Sequence, residues 1–203
     1  MTTRLELVPV DLIDPHPSNP RRDLGDLTEL ADSIRAQGIR QPLLLVQRAC
    51  AECDARGLSP CTHSVGDRYM VVIGHRRLAA AKLAQLEEVP CTIDPSLSQA
   101  QQVELMLLEN IQRTDLTPVE EAEGYQELLD LGVKVREIAK TTGRREKTVT
   151  ARLRLLRLPD SAREKVHLRQ ATLEDAALLG TLDDRPDLQS RVAEALGTSN
   201  FDW

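Results

Sequence analysis

Aromatic side chains are nearly missing from this chain: one Trp, two Tyr and one Phe stand among 203 residues, 2% of the total. So few aromatic platforms argue against a single-strand binder that works by base stacking. Core packing must rest on Leu, Val, Ile and Ala. Long apolar runs are missing too. No stretch approaches the roughly 18 residues of a membrane span. The opening Met-Thr-Thr-Arg-Leu-Glu-Leu has no signal-peptide apolar core, so a cytoplasmic protein without membrane partners is expected. Internal repeats, low-complexity tracts and Gly/Ser-rich linkers are also lacking.

What is present is a soluble, globular composition, with 29% charged and 41% hydrophobic residues. The length allows one large domain or two small ones. The net charge of -6 hides an asymmetry. Between Lys134 and Arg169 there are 12 Lys and Arg against 4 Asp and Glu, a balance of +8. The rest of the chain holds 14 basic against 28 acidic residues, a balance of -14. A basic block on an acidic protein is the footprint of a polyanion surface, most often nucleic acid. A solvated helical face is the plainer alternative.

Along the chain, Leu5 to Ile13 reads as one edge strand. Asp14-Pro15-His16-Pro17-Ser18-Asn19-Pro20 must be an extended loop, because three prolines in six residues fit neither helix nor central strand. Thr28 to Gln37 reads as a helix carrying Leu30, Ile34 and Gln37 on one face and ended by Gly38. Pro42–Val46, Tyr69–Ile73 and Val89–Ile93 read as short strands, and His75–Leu86 as a helix. Ser98 and Gln101 form a capping-box pattern that opens a helix lined by Val103, Met106, Leu107 and Ile111. Alternating strands and helices make the N-terminal part a small mixed α/β domain. Near Thr117 the character changes. Thr117-Pro118-Val119-Glu120 is a strong helix start, and only short helices follow. The fold class is therefore α+β, with residues 1–116 forming the mixed domain and 117–203 an all-α domain.

Two segments carry chemistry. Gly74-His75-Arg76-Arg77 lies between a strand and an alanine-rich helix. A glycine at such a turn, followed by two guanidiniums on the first helical turn, suits a phosphate cradle. Glu109-Asn110-Ile111-Gln112-Arg113 ends another helix. Its carboxylate and carboxamide are hard-oxygen ligands of the kind Mg2+ prefers. Together they suggest a nucleoside triphosphate site. Taken singly, each has an ordinary reading: Glu109 and Arg113 make a common helix-surface pair, and Arg76 and Arg77 could be solvated charges.

In the helical part, Val135, Ile138, Ala139 and Thr142 share one helix face, and Gly143 stops that helix. A second helix begins near Glu146, with Val149, Leu153 and Leu156 facing inward. This is the pattern of a helix-turn-helix over about 135–157. Lys147, Thr150, Ala151 and Arg154 fall on the opposite face, with Arg144 and Arg145 at its start. That is where a recognition helix places base and phosphate contacts to double-stranded DNA. Three cysteines cluster as Cys50-x2-Cys53-x7-Cys61-x-His63, in a polar stretch (47–68) that looks inserted between two strands. Cys50, Cys53, Cys61 and His63 match a structural Cys3His Zn2+ site. Ordinary reduced thiols are the alternative. Cys91 belongs to an apolar strand and the core.

The order of these parts resembles the ParB family of DNA partition proteins, from about Leu5 to about Leu182. The matching residues are Asn19-Pro20-Arg21, Gly38-Ile39-Arg40-Gln41-Pro42, Gly74-His75-Arg76-Arg77-Leu78-Ala79, Glu109-Asn110-Ile111-Gln112-Arg113, Thr117-Pro118-Val119-Glu120-Glu121-Ala122 and Leu153-Arg154-Leu155-Leu156-Arg157-Leu158-Pro159. The resemblance implies a CTP-dependent DNA clamp with slow CTP hydrolysis. It would act as a homodimer on a specific, palindromic DNA site, with a ParA-type ATPase as partner. By resemblance, Gly74, His75, Arg76 and Arg77 would hold the triphosphate, and Glu109 and Asn110 would hold Mg2+. Gln41 would lie near the γ-phosphate and Arg113 would support the site, with Gln41 and Glu109 serving hydrolysis. The family often has Glu where His75 stands, and the cysteine insertion is not a usual family feature. The chain stops at Trp203, without the C-terminal dimerisation domain the family usually carries. A nucleotide-independent repressor and a small-molecule kinase on the same fold are the rival readings. The basic helix-turn-helix argues against the kinase, and the intact Gly74 and Glu109 segments argue against the repressor.

Overall fold

A computed structural model describes residues 4–21, 23–48, 68–112, 116–182 and 184–196. The chain divides into two compact units, Met1–Glu109 and Asn110–Trp203. The sequence reading places the change of character at Thr117, a few residues beyond that division.

The first unit is built on five strands: β1 (Arg4–Pro9), β2 (Ile13–Pro15), β3 (Leu43–Gln47), β4 (Tyr69–Ile73) and β5 (Glu88–Ile93). They form one mixed sheet in the order β1-β5-β3-β4-β2. The single N-terminal edge strand expected from the sequence is in fact two. After Pro9 the chain takes a 3-10 turn over Val10–Leu12. β1 then pairs antiparallel with β5, while β2 pairs parallel with β4 at the opposite edge. Proline has no N–H to offer a ladder, which makes Pro9 a natural place for the first strand to end.

Among the described residues, three helices accompany the sheet: α1 (Thr28–Gln37), α2 (His75–Leu83) and α3 (Gln99–Gln112). α1 buries Ala31 and Ile34 against Ala80 and Ala84 at the α2 end. The expected Ile34 is buried and Leu30 packs half-buried against the same cluster, while Ala31 joins them and Gln37 is exposed. α2 stops at Leu83, short of Leu86, because Gln85 takes a left-handed φ of 57°. The sheet core includes Val8, Ile13, Leu43, Leu45, Val71 and Val89, with Cys91 among them. Burial pushes the Cys91 thiol up to about 12, so it stays protonated and inert. α3 opens as its capping box requires: Gln101 N–H donates to Ser98 Oγ and Ser98 N–H to Gln101 Oε1.

β3 and β4 form an antiparallel pair whose ladder runs out to Gln47 and Tyr69. One step further, Arg48 N–H donates to Arg68 O at 3.0 Å. The side chains of both residues converge on Asp14, with Arg48 Nη1 at 2.8 Å and Arg68 Nη2 at 2.7 Å. The hydrogen bond from Arg68 is the chief reason the Asp14 carboxyl is held below its usual range. The segment between Arg48 and Arg68 therefore enters and leaves through one closed hairpin mouth. Cys50, Cys53, Cys61 and His63 lie in it, outside the described residues.

The second unit is helical: α4 (Pro118–Asp130), α5 (Val135–Thr142), α6 (Glu146–Leu155), α7 (Asp160–His167), α8 (Leu173–Leu179) and α9 (Pro186–Ala195). Thr117 caps α4 with the expected reciprocal box: Glu120 N–H donates to Thr117 Oγ1, and Thr117 N–H donates to Glu120 Oε2 at 2.8 Å. A second box, Thr172 with Asp175, starts α8. Each such cap contributes about 1 kcal/mol. Thr117 Oγ1 also lies 3.0 Å from His167 Nδ1, which ties the start of α4 to the end of α7. Tyr125, Leu128, Ile138, Val149 and Leu179 are fully buried. Among the described residues, no helix is long and apolar enough to cross a membrane.

Candidate functional site

The turn between β4 and α2 is made by Gly74, whose φ is 106°. An L side chain would be strained there. Its Cβ would also stand 3.1 Å from Arg77 Nη2 and 3.2 Å from Leu43 Cγ. Glycine is thus favoured by backbone conformation, and a side chain there would also press on Arg77 and Leu43. Past it, the first N–H groups of α2 have no partner within the helix and point outward from its positive end.

The two arginines of the turn organise the loops beside it. Arg77 Nη1 donates to the carbonyl of Gln41 and, at 2.8 Å, to that of Pro42. Arg76 Nη2 donates to the carbonyl of Asp26 at 3.1 Å. The Asp26 carboxyl accepts the Thr28 N–H and hydroxyl, which lower it from its ordinary range. The structure therefore gathers Gln41, Gly74, Arg76 and Arg77 around one strand-to-helix turn. Asp26 was not evident from the sequence. An Asp one residue before a Leu-Thr helix start signals only a local turn.

His75 faces inward. Its ring is 9% exposed, and Nε2 accepts the N–H of His16 at 3.3 Å. Burial first, and the charge of His16 second, push its imidazole down to about 4. At neutral pH it is an uncharged acceptor. What it can still offer a ligand is its backbone N–H. Beside it, a cleft of about 480 Å³ is lined by the proline loop, including His16, Asn19 and Arg21, and by Leu78 and Lys82 of α2. Lys82 Nζ donates to Ile13 O, which fastens the start of that loop to α2.

Glu109 and Asn110 lie on the last turn of α3, Glu109 half-buried and Asn110 8% exposed. Their oxygens are the right chemistry for Mg2+. Arg113 lies outside the described residues. Among the described residues, no group of three or more His, Cys, Asp and Glu could hold a metal ion by itself.

In the helical unit, α5 and α6 meet at Gly143, in the left-handed conformation with φ 68°. Ile138, Ala139 and Thr142 face the interior from α5, and Val149 does so from α6. Leu155 rather than Leu156 completes the buried side of α6; Leu153 and Leu156 are only half-buried. The opposite face presents Arg145, Lys147, Thr150 and Arg154, all exposed. Arg144 is divided between two roles. It stands at the turn, yet its Nε donates to Glu121 Oε1 at 3.2 Å. Arg152 Nε donates to Glu121 Oε2 at 2.9 Å, and Tyr125 Oη to Glu121 Oε1 at 2.6 Å. The Tyr125 phenol is pushed up, first by burial and then by that carboxylate. Glu121 was not evident as a functional residue from the sequence, where it reads as the second acid of a helix start.

The family model described as ParB N-terminal domain matches residues 1–111, and that described as ParB HTH domain matches residues 114–201. The chromosome-partitioning protein Spo0J of Thermus thermophilus is 40% identical over 178 residues, covering 87% of this chain and 60% of that protein. The nucleoid occlusion protein of Listeria monocytogenes is 30% identical over 194 residues, covering 94% of this chain and 62% of its own length. The chain thus spans about three-fifths of the length of these relatives. Among solved structures, C-terminally truncated ParB of Caulobacter crescentus, complexed to the centromeric parS site, is similar over 96% of this chain and 94% of that one. Its identity is 27% and its TM-score 0.59.

Proposed function

Because the chain belongs to the ParB family, we propose that it is a partition protein that binds a specific centromeric site on duplex DNA and is switched by CTP. The observation that carries this reading is the α5-Gly143-α6 element. Its second helix buries Val149 on one side and offers Arg145, Lys147, Thr150 and Arg154 on the other. Long donors at that spacing reach base edges and phosphates of a major groove, and Arg144 flanks them.

The nucleotide belongs to the Gly74 turn. A left-handed glycine allows close backbone approach, the first amides of α2 face an anion, and Arg76 and Arg77 stand beside them. His75 would contribute its amide. Glu109 and Asn110 would hold Mg2+, which neutralises phosphate charge when bound, and Arg113 would support the site. Gln41, whose carbonyl Arg77 holds, and Glu109 are the residues assigned to slow hydrolysis. Homodimers on a palindromic site and a ParA-type ATPase partner belong to the same reading. Cys50, Cys53, Cys61 and His63 are assigned one structural Zn2+.

A nucleoid-occlusion role is a second reading, prompted by the 30% identity to the Listeria protein across 94% of this chain. Fluorescence anisotropy with a parS duplex and a scrambled duplex, each with and without CTP and Mg2+, tests the first reading. Preference for parS that changes with CTP is expected. Equal binding of both duplexes would overturn it.

A further inference from the structure

Buried His16 has no part in the reading above, yet its backbone meets the first turn of α2 and its ring meets its own loop and α3. Its backbone N–H donates to His75 Nε2 at the first turn of α2. Its ring Nδ1 accepts the Ser18 N–H at 3.1 Å, which leaves the ring proton on Nε2. That Nε2 lies 3.0 Å from Gln102 Oε1 on α3. Gln102 is 3% exposed and its amide orientation is fixed, since Nε2 donates to Leu97 O at 2.9 Å. One proton arrangement therefore satisfies the whole chain from His75 through His16 to Gln102.

We propose that His16 is a positioning residue for the nucleotide site, bridging the first turn of α2 to α3. The inference rests on the nucleotide reading given above. The bridge holds the proline loop, with Asn19 and Arg21, over the cleft beside α2. It also ties that loop to α3, the helix that carries Glu109. A loop and a helix end that share one buried hydrogen-bonded pivot are placed before the ligand arrives, and binding need not order them.

The ring has two separable contacts, and two substitutions divide them. His16→Asn puts an oxygen where Nδ1 stood, keeping the local turn to Ser18, as Asn does in such turns. It is too short to reach Gln102. His16→Gln reaches Gln102 with its amide N–H and gives up the Ser18 contact. Both keep the backbone bond to His75. Gln102→Met breaks the same bridge from α3 and leaves the Ser18 turn intact. CTP binding with Mg2+ is measured by calorimetry on the full chain. His16→Asn and Gln102→Met should each weaken binding about tenfold, roughly the effect of one lost buried hydrogen bond, while His16→Gln stays within about threefold of the parent. A ring that merely shapes its own loop predicts the reverse order for the two His16 variants, and that order would overturn the proposal. So would parent-like binding by both His16→Asn and Gln102→Met. If the parent itself binds no nucleotide, the nucleotide reading falls, and this inference falls with it.

Discussion

Arg152 and Glu121 form a charge pair, Nε to Oε2 at 2.9 Å, with side chains 19% and 6% exposed. The pair joins α4 to the middle of α6, and Arg144 and Tyr125 share the same carboxylate. The helix proposed to read DNA is thus held by a buried acid on α4. Glu121→Ala would leave a guanidinium and a phenol short of an acceptor in the interior. It should cost about 2–4 kcal/mol, which urea denaturation measures. Arg144→Ala, at a half-exposed position, should cost under about 1 kcal/mol. A Glu121→Ala protein as stable as the parent would show that the carboxylate does not anchor α6.

Lys147 and Arg154 project from the face opposite Val149. Replacing either by Ala should weaken binding to cognate DNA. Loss of a base-reading arginine should cost about 1–3 kcal/mol, concentrated at one position of the site. Loss of a phosphate contact should weaken all sequences alike and reduce the salt slope by about 1. Anisotropy titrations at several salt concentrations separate the two. Parent-like affinity in both variants would mean that α6 is not the reading helix.

Arg77→Ala should abolish CTP binding in calorimetry, through lost charge and through release of the Gln41 and Pro42 carbonyls. Equal binding of all four nucleoside triphosphates by the parent would remove the cytosine preference. Gly74→Ala should lower stability by about 1–3 kcal/mol even without nucleotide, because its left-handed backbone resists a side chain.

His75 makes stability depend on pH. Its folded value of about 4 lies below the ordinary 6.5. Between the two, the unfolded chain takes up a proton that the folded chain refuses. Folding stability is therefore intact above pH 6.5 and falls as pH drops toward 4, by about 3 kcal/mol in all. Urea midpoints of the parent and His75→Gln across that window should converge as pH falls. Parallel curves would show that the ring is free to charge.

The inserted segment between Arg48 and Arg68 is expected to carry one Zn2+ on Cys50, Cys53, Cys61 and His63. Elemental analysis of protein purified without chelator should find about one zinc per chain. Freely reactive cysteines and no zinc would identify them as ordinary thiols. Because the hairpin mouth closes on Asp14, removing the metal should leave the Gly74 turn and the helix-turn-helix unaffected.

Much of this was legible from the sequence because it is local. The Thr117 box, the Gly143 stop and the Gly74 turn are each set by residues within four positions, and the structure has all three. What escaped depends on distance along the chain. Glu121 meets Arg152 across 31 residues, and His16 meets Gln102 across 86. No periodicity announces such partners. The split of Leu5–Ile13 into two strands escaped for the same reason, since a strand's neighbours are chosen by the rest of the sheet.

The first fifteen residues supply both rims of the sheet, β1 on β5 and β2 on β4. During synthesis both strands precede their templates: β2 waits for β4, complete at Ile73, and β1 for β5, complete at Ile93. β3 pairs with both β4 and β5, so the middle of the sheet can associate without either rim. A chain clipped after Pro15 would keep the middle of the sheet and bare its two flanks at once. It should self-associate through them before it loses its fold.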